Sequence, residues 1–404
     1  MVYAFLILVV RETGSSIHTS LLVLSFILPS ATLASVSGVV TDRLPRGLIL
    51  FVAHLLRALL ATAFVASNEG VWVIYGIALG YGVVGQFSGP VESALLPHIV
   101  ARERLTTANS MFNLGGAIGQ SVGVLILAPL FLKTVGADSL FSAIAMLYLV
   151  AAALLLTVPH LGFRELSQAQ RHAAHTTFRG VRTEFAEGWQ ALRRDRTAYM
   201  GMILLVLGST SLLVTVAVAP RFANEILGIS TENAIYVFAP AAVGVVVGLR
   251  VVDWLTHQVS KASVVTAGFI LVVLSMVAMA MVPQSARLLE NQNALGLFSP
   301  GPFGTTAARV MVTLVFAGLV GFAYSVINVG GRSLLNERVP VPMQGRVFAA
   351  QTVLSNLASI VPLLLAGALA DWWGVSPVLI AVAVIILVVA LWAAYQNVRM
   401  RPAV

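Results

Sequence analysis

The sequence predicts an all-α, polytopic membrane protein of two pseudo-symmetric six-helix halves, and three observations carry that expectation. Of 404 residues 58% are hydrophobic and the mean hydropathy is +0.93, well above the roughly 45–50% apolar content of soluble domains. The apolar residues gather into runs of membrane length, and one wide polar gap, 159 to 196, divides the runs six from six. Lipid leaves an unpaired backbone group unsatisfied, and no ten-residue alternation of a barrel is present, so the runs are read as helices.

Taken in order, the first run is short: "VYAFLILVV" after Met1 has nine residues, against the roughly 20 of a spanning helix. It has no basic flank and no small-residue cleavage site, so it is not read as a signal peptide. Eleven full spans follow at about 17–40, 48–67, 71–95, 108–132, 138–158, 198–219, 233–252, 263–283, 310–331, 347–370 and 376–397. The domain reading is therefore 1–158, an amino half with an incomplete first span; 159–197, a linker; and 198–404, a carboxyl half. Within the linker, "RTEFAEGWQALRRDR" spaces Phe185, Trp189 and Leu192 for one helical face. That segment is expected either along the inner membrane surface or as a solvated linker helix.

Charge sets the orientation. With the stub as span 1, seventeen of the 24 Lys and Arg fall on one side, five on the other, and Arg57 and Arg250 lie within spans. The positive side is expected to be cytoplasmic, which puts both the 42–47 loop and the C-terminus inside, in a plasma (inner) membrane. The net charge of +8 is explained by this bias, and no nucleic-acid partner is expected.

The two halves echo one another. Asp42 and Asp253 lie 211 positions apart, each in the charged loop after a half's second span, and "ALLPHIV" (94–100) returns as "SLLNERV" (333–339), 239 positions on. The stretch "PQSARLLENQNALGLFSPGPFGTT" accounts for the growth in offset, and its residues 284–306 are read as a long outer loop. Aligning Gly14 with Gly228 places the expected start of span 1 about 16 residues before Met1, an expectation of a late start assignment. Parallel six-span halves mark a large class of secondary transporters.

The loop Gly38-Val39-Val40-Thr41-Asp42-Arg43-Leu44-Pro45-Arg46 resembles the major facilitator superfamily signature G-x-x-x-D-R-x-G-R, with Pro45 where glycine is usual. Further matches are "AHLLRAL", "ALLPHIVARERLTTANS", "EFAEGWQALRRDR", "GRVFAAQ" and "LAGALADWWG". Together they resemble the macrolide-efflux-like and enterobactin-exporter-like permeases. The resemblance implies a conformational latch in which Gly38, Asp42, Arg43 and Arg46 tie the amino half to the start of span 11 at Gly345 and Arg346, with Asp253 as the echo. A carboxylate at the membrane surface can accept from a helix N-terminus and an arginine.

Ionisable and polar residues inside spans are functional candidates because they are expensive in lipid. Arg57 is read as a partner of a cavity carboxylate or as a packing and snorkelling residue. Glu92 is read as a coupling carboxylate or as a surface partner of Arg102 or Arg104, and His54 as structural. Gly115, Gly119 and Gly123 have the four-residue spacing of a tight crossing. The superfamily's antiporters carry G-P-x-x-G there, where this chain has Gly119-Gln120-Ser121-Val122-Gly123. Ser209, Thr210, Tyr324, Asn328, Gln351 and Asn356 are expected either to line a cavity or to bond between helices.

Zero cysteines exclude disulfides and thiolate chemistry. No H-E-x-x-H, G-x-S-x-G or phosphate-cradling glycine loop is present, so no enzyme, metal site, cofactor or ATP-driven pump is expected. The expectation is a monomeric, proton-coupled exporter of amphiphilic solutes such as drugs or siderophores, its partners being substrate, protons and lipid. The alternatives left standing are an uncoupled facilitator or importer and, more remotely, a non-transporting receptor or scaffold.

Overall fold

The computed structural model describes residues 1–67, 70–100, 105–158, 189–190, 192, 195–292, 302–339 and 341–399. No strand occurs among them, and the helices follow the apolar runs. From the N-terminus they are α1 (Val2–Thr13), α2 (Ser16–Arg43), α3 (Arg46–Val65), α4 (Val71–Ile99), α5 (Leu105–Val122), α6 (Ala128–Thr134) and α7 (Ala137–Thr157). A π-helical stretch, Gly123–Leu127, joins α5 to α6. The chain continues with α8 (Arg196–Glu225), a 3₁₀ turn (Thr231–Ala234), α9 (Ile235–Gln258), α10 (Lys261–Ala280), α11 (Val282–Gln292), α12 (Pro302–Arg338), α13 (Val341–Trp373) and α14 (Val375–Arg399).

Among the described residues nine helices are long and apolar enough to cross a membrane. The other expected spans are helical too: α1 has 12 residues, α2 shows a described apolar stretch only over Ser16–Ser30, and the fifth run is divided by the π-helix. One expectation needs correction. The stretch read as a loop from 284 to 306 is helical at both ends, as α11 and the start of α12. Val282 and Ala286, one helical turn apart, are buried, and Pro302 supplies the fixed φ suited to a helix's first position.

Among the described residues four glycines adopt positive φ: Gly14 at 63°, Gly136 at 88°, Gly228 at 68° and Gly374 at 83°. Two follow α1 and α8 and two precede α7 and α14, so they fall into pairs along the two sequence halves. Each lets the chain leave a helix through the left-handed region that a side chain disfavours.

The chain forms two compact units, Met1–Phe5 with Leu22–Glu184, and Leu6–Leu21 with Phe185–Val404. In the first, Phe5, Phe64 and Phe141 are fully buried. Their ring centroids lie 4.0 Å (Phe64–Phe141), 4.9 Å (Phe5–Phe141) and 5.7 Å (Phe5–Phe64) apart, within the range where aromatic pairs add to their burial.

The second unit is organised around α12. Its glycines permit close backbone approach: a Cβ at Gly244 of α9 would fall on the carbonyl of Gly318, and one at Gly321 on that of Ala241. A Cβ at Gly248 would lie 2.8 Å from the carbonyl oxygen of Phe322. From the linker, Leu192 is fully buried in a cluster with Met202, Leu205, Leu335 and Val347, and Trp189 meets Tyr199 edge-on at 6.0 Å. Phe185 lies outside the described residues.

Candidate functional site

In the first unit the sequence brings a cation and a carboxylate together between α3 and α4. Arg57 Nη1 lies 3.7 Å from Glu92 Oε1, with side chains 17% and 36% exposed. Arg57 Nη2 donates to the buried Ser88 Oγ at 2.6 Å. Ser88 and Glu92 are one helical turn apart, so one guanidinium spans both. Tyr81 Oη donates to the Arg57 carbonyl at 2.8 Å, and the guanidinium carbon stands 5.7 Å from the centre of the Tyr148 ring. His54 donates from Nδ1 to the Leu50 carbonyl at 2.8 Å and meets Tyr148 edge-on at 5.9 Å. The result is an ion pair beside two tyrosines, with both terminal nitrogens of the guanidinium engaged. The geometry pairs Glu92 with Arg57, whereas Arg102 and Arg104 lie outside the described residues.

The polar residues of α8 and α13 divide their bonds between and along helices. Thr210 Oγ1 and Ser359 Oγ are 2.7 Å apart across the two helices. Gln351 Nε2 donates to Ser355 Oγ at 2.9 Å and Ser209 Oγ to the Leu205 carbonyl at 2.9 Å. Gln351 is buried and Asn356 half-buried. Tyr324 and Asn328, one turn apart on α12, stand 3.5 Å from each other. Tyr324 also borders a crevice with Ser211, Thr215, Leu212 and Ile327 that has room for about one water molecule, far below the roughly 300–1,000 Å³ of a drug-sized pocket.

Elsewhere the sequence candidates fall as follows. A Cβ at Gly115, Gly119 or Gly123 would meet no described atom within 4 Å, and Gln120 is exposed. Gly123 begins the π-helical stretch. The side chains of Asp42, Arg43, Asp253 and Arg346, and the surroundings of Gly38 and Gly345, lie outside the described residues. Arg46 opens α3 behind Pro45, whose φ of −57° and ψ of 130° suit a proline. The departure from glycine at position 45 therefore puts no strain on the backbone.

A third constellation had no counterpart in the sequence reading. At the end of the second unit formed by the α1–α2 corner and the termini of α8 and α13, Asp371 receives Ser15 Oγ at 2.5 Å, Ser16 N at 2.6 Å and Ile17 N at 3.2 Å. Arg221 pairs with Asp371 and, at 3.1 Å, with Glu225. Glu225 in turn receives the Val375 amide at 3.3 Å. The residues come from three separate stretches of chain, 15–17, 221–225 and 371–375, and no spacing along the sequence announces that they meet.

Helix count, apolar lengths and parallel repeats leave few families open, and the matching family model is the Major Facilitator Superfamily over residues 1–291. The chain belongs to the major facilitator superfamily. As a superfamily member it is a multi-pass membrane transporter and not an enzyme. It is 24% identical over 370 residues to the uncharacterized MFS-type transporter YfiS of Bacillus subtilis (strain 168), covering 90% of this chain and 80% of that one. To the uncharacterized MFS-type transporter Rv0037c of Mycobacterium tuberculosis it is 26% identical over 370 residues, 87% of this chain and 76% of the relative. Among solved structures it is similar to the nucleoside transporter NupG, with a TM-score of 0.71 at 13% identity, covering 98% and 94% of the two chains. A bacterial homolog of the human lysosomal transporter Spinster gives 0.70 at 12% identity, covering 97% and 92%. At these identities the solved structures speak to the superfamily fold alone.

Proposed function

We propose that this superfamily member is a secondary active transporter that exports amphiphilic small molecules in exchange for protons by alternating access. The observation that carries the reading is the Arg57–Glu92 pair, 3.7 Å apart between two apolar helices. An ionisable pair held within spans is expensive, which makes it a functional candidate by default. Protonation of Glu92 cancels its charge and leaves Arg57 to Ser88 and the tyrosines; loss of the proton restores the pair. The site therefore has two arrangements that differ by one proton, which is what coupling to a proton gradient requires.

The export direction and the drug- or siderophore-like substrate class rest on the resemblance to macrolide-efflux-like and enterobactin-exporter-like permeases. An interior with few fixed charges suits bulky amphiphiles better than sugars or inorganic anions. Asp42, Arg43 and Arg46 act in this reading as a cytoplasmic latch against Gly345 and Arg346, and the C-terminus is cytoplasmic.

Everted vesicles carrying the protein test the reading. Dissipation of a preformed proton gradient is followed on adding macrolides, hydrophobic cations and siderophores, with Glu92→Gln and Asp42→Asn alongside. Collapse with one class of compound, lost in Glu92→Gln, is expected. No collapse in vesicles that still bind the compound would replace proton exchange with uncoupled facilitation.

A further inference from the structure

The Asp371 constellation lies far along the chain from the Arg57–Glu92 pair, and its arrangement calls for a separate account. α2 begins at Ser16 with amide groups that its own helix cannot satisfy. The acceptor for two of them, Ser16 N and Ile17 N, is a carboxylate 355 and 354 residues away. Ser15, at the position where a side chain normally caps its own helix, instead donates its hydroxyl outward to the same Asp371. The α1–α2 corner is thus fastened to the end of α13 by three hydrogen bonds on a single side chain.

Charge in the constellation balances only when the corner is in place. Asp371 and Glu225 bring two negative charges, Arg221 one positive charge, and the N-termini of α2 and α14 about +0.5 each. Glu225 receives the Val375 amide, and Arg221 and Glu225 share α8, so the Arg221–Glu225–Val375 part depends on no residue of the corner. The bonds from Ser15, Ser16 and Ile17 are the part that can detach.

The seam beneath these bonds is close yet poorly satisfied. A Cβ at Gly367 of α13 would lie 2.7 Å from the Ser16 carbonyl oxygen and 2.9 Å from Ile17 Cα. Ser16 Oγ and Ser20 Oγ are buried there without a hydrogen-bond partner among the described residues. Buried unsatisfied hydroxyls favour any state in which water reaches them. The seam is therefore held shut by Asp371 against groups that gain when it opens. Thr19 adds one further tie, Oγ1 to the Ala217 carbonyl at 2.8 Å.

We infer that Asp371 is the releasable element of a latch that holds the α1–α2 corner, residues 15–17, on the ends of α8 and α13 in one state of the transporter and lets it go in the other. The inference rests on the alternating-access reading. In the orientation proposed above, the latch lies at the outer face, opposite the Asp42 loop. Arg221 is the positioning residue: it holds the Asp371 carboxylate in register and keeps part of its charge matched after release.

The absence of cysteine makes the test direct. Nitroxide labels are placed at Glu12→Cys on the corner and Asn224→Cys at the end of α8, both exposed positions, and the distance distribution is measured by pulsed electron resonance in lipid nanodiscs without substrate. Asp371→Ala is expected to raise the ratio of long to short distances by about tenfold, equivalent to about 1.4 kcal/mol. Ser15→Ala, which removes one bond, should shift it in the same direction by less. Glu337→Gln, which breaks the Lys261–Glu337 pair elsewhere, should leave the distribution unchanged. If Asp371→Ala does not accumulate, Asp371→Asn gives the same reading with the shape of the side chain kept. An unchanged distribution in the Asp371 variant that accumulates overturns the latch. Because no substrate or proton gradient enters, a shift seen alongside negative vesicle assays would leave the latch standing and overturn proton-coupled export instead.

Discussion

Gly244 of α9 and Gly318 of α12 meet backbone to backbone, with no space between them for a Cβ. The opposing atom is a carbonyl oxygen within a helix, which cannot swing aside as a flexible side chain would. Gly244→Ala is therefore expected to lower stability by more than the roughly 1–3 kcal/mol of ordinary overpacking, read as a large fall in Tm or as loss of folded protein in detergent. Gly119→Ala, where no described atom lies within 4 Å, should change Tm little. Equal effects at the two sites would contradict this assignment of the tight crossing.

The Arg57–Glu92 pair makes a prediction about substitution chemistry. Arg57 reaches Ser88 and Glu92 with different nitrogens while its guanidinium faces Tyr148. A lysine has no fork to do this. Arg57→Lys is expected to lose transport about as severely as Arg57→Ala, roughly tenfold or more, with protein levels maintained. Transport near the native rate in Arg57→Lys would reduce the site to a simple point charge.

Truncating the aromatic cluster tests the first unit's core. Phe141 is fully buried between Phe5 and Phe64, so Phe141→Ala should cost about 3–5 kcal/mol. Phe141→Leu, which retains most of the volume, should cost less. Thermal unfolding of the two purified variants separates them, and indistinguishable midpoints would contradict the packing described.

The positive-φ glycines separate strain from collision. Gly136 and Gly374 have similar φ, 88° and 83°, yet a Cβ at Gly136 meets no described atom within 4 Å, whereas one at Gly374 collides with the Glu225 carboxylate. Gly136→Ala should cost about 1–3 kcal/mol from conformation alone, because its φ of 88° with ψ of 172° is a region that only glycine adopts freely. Gly374→Ala should cost more and should also disturb the Arg221–Asp371 pairing, visible as the same lengthening of Glu12–Asn224 label distances described above. Equal costs, with no change in distance, would detach Gly374 from the constellation.

Much of the architecture was legible because lipid imposes a one-dimensional rule: about 20 apolar residues make a span. The helices follow the runs read from composition, and the Gly14–Gly228 alignment drawn from sequence recurs as matched φ values of 63° and 68°. The error at 284–306 has the same origin. A short helix such as α11, with Val282 and Ala286 inward and Gln284 and Arg287 outward, is too polar to register as a span and resembles a loop when apolar length is the only criterion. Small-residue spacing was similarly ambiguous. Gly115, Gly119 and Gly123 have the required period, but so do Gly244 and Gly248, and only the neighbouring helix distinguishes them.

By itself, the sequence determined that this protein is a helical membrane transporter with repeated halves, because hydropathy and repetition are properties of a chain read in order. The tertiary structure alone decided which charges meet. Glu92 finds Arg57 across two antiparallel helices, and Asp371 finds Ser15, Ser16 and Arg221 across 150 residues or more. A hydrogen bond is satisfied by distance in space, and when its partners belong to different helices no spacing along the sequence records it.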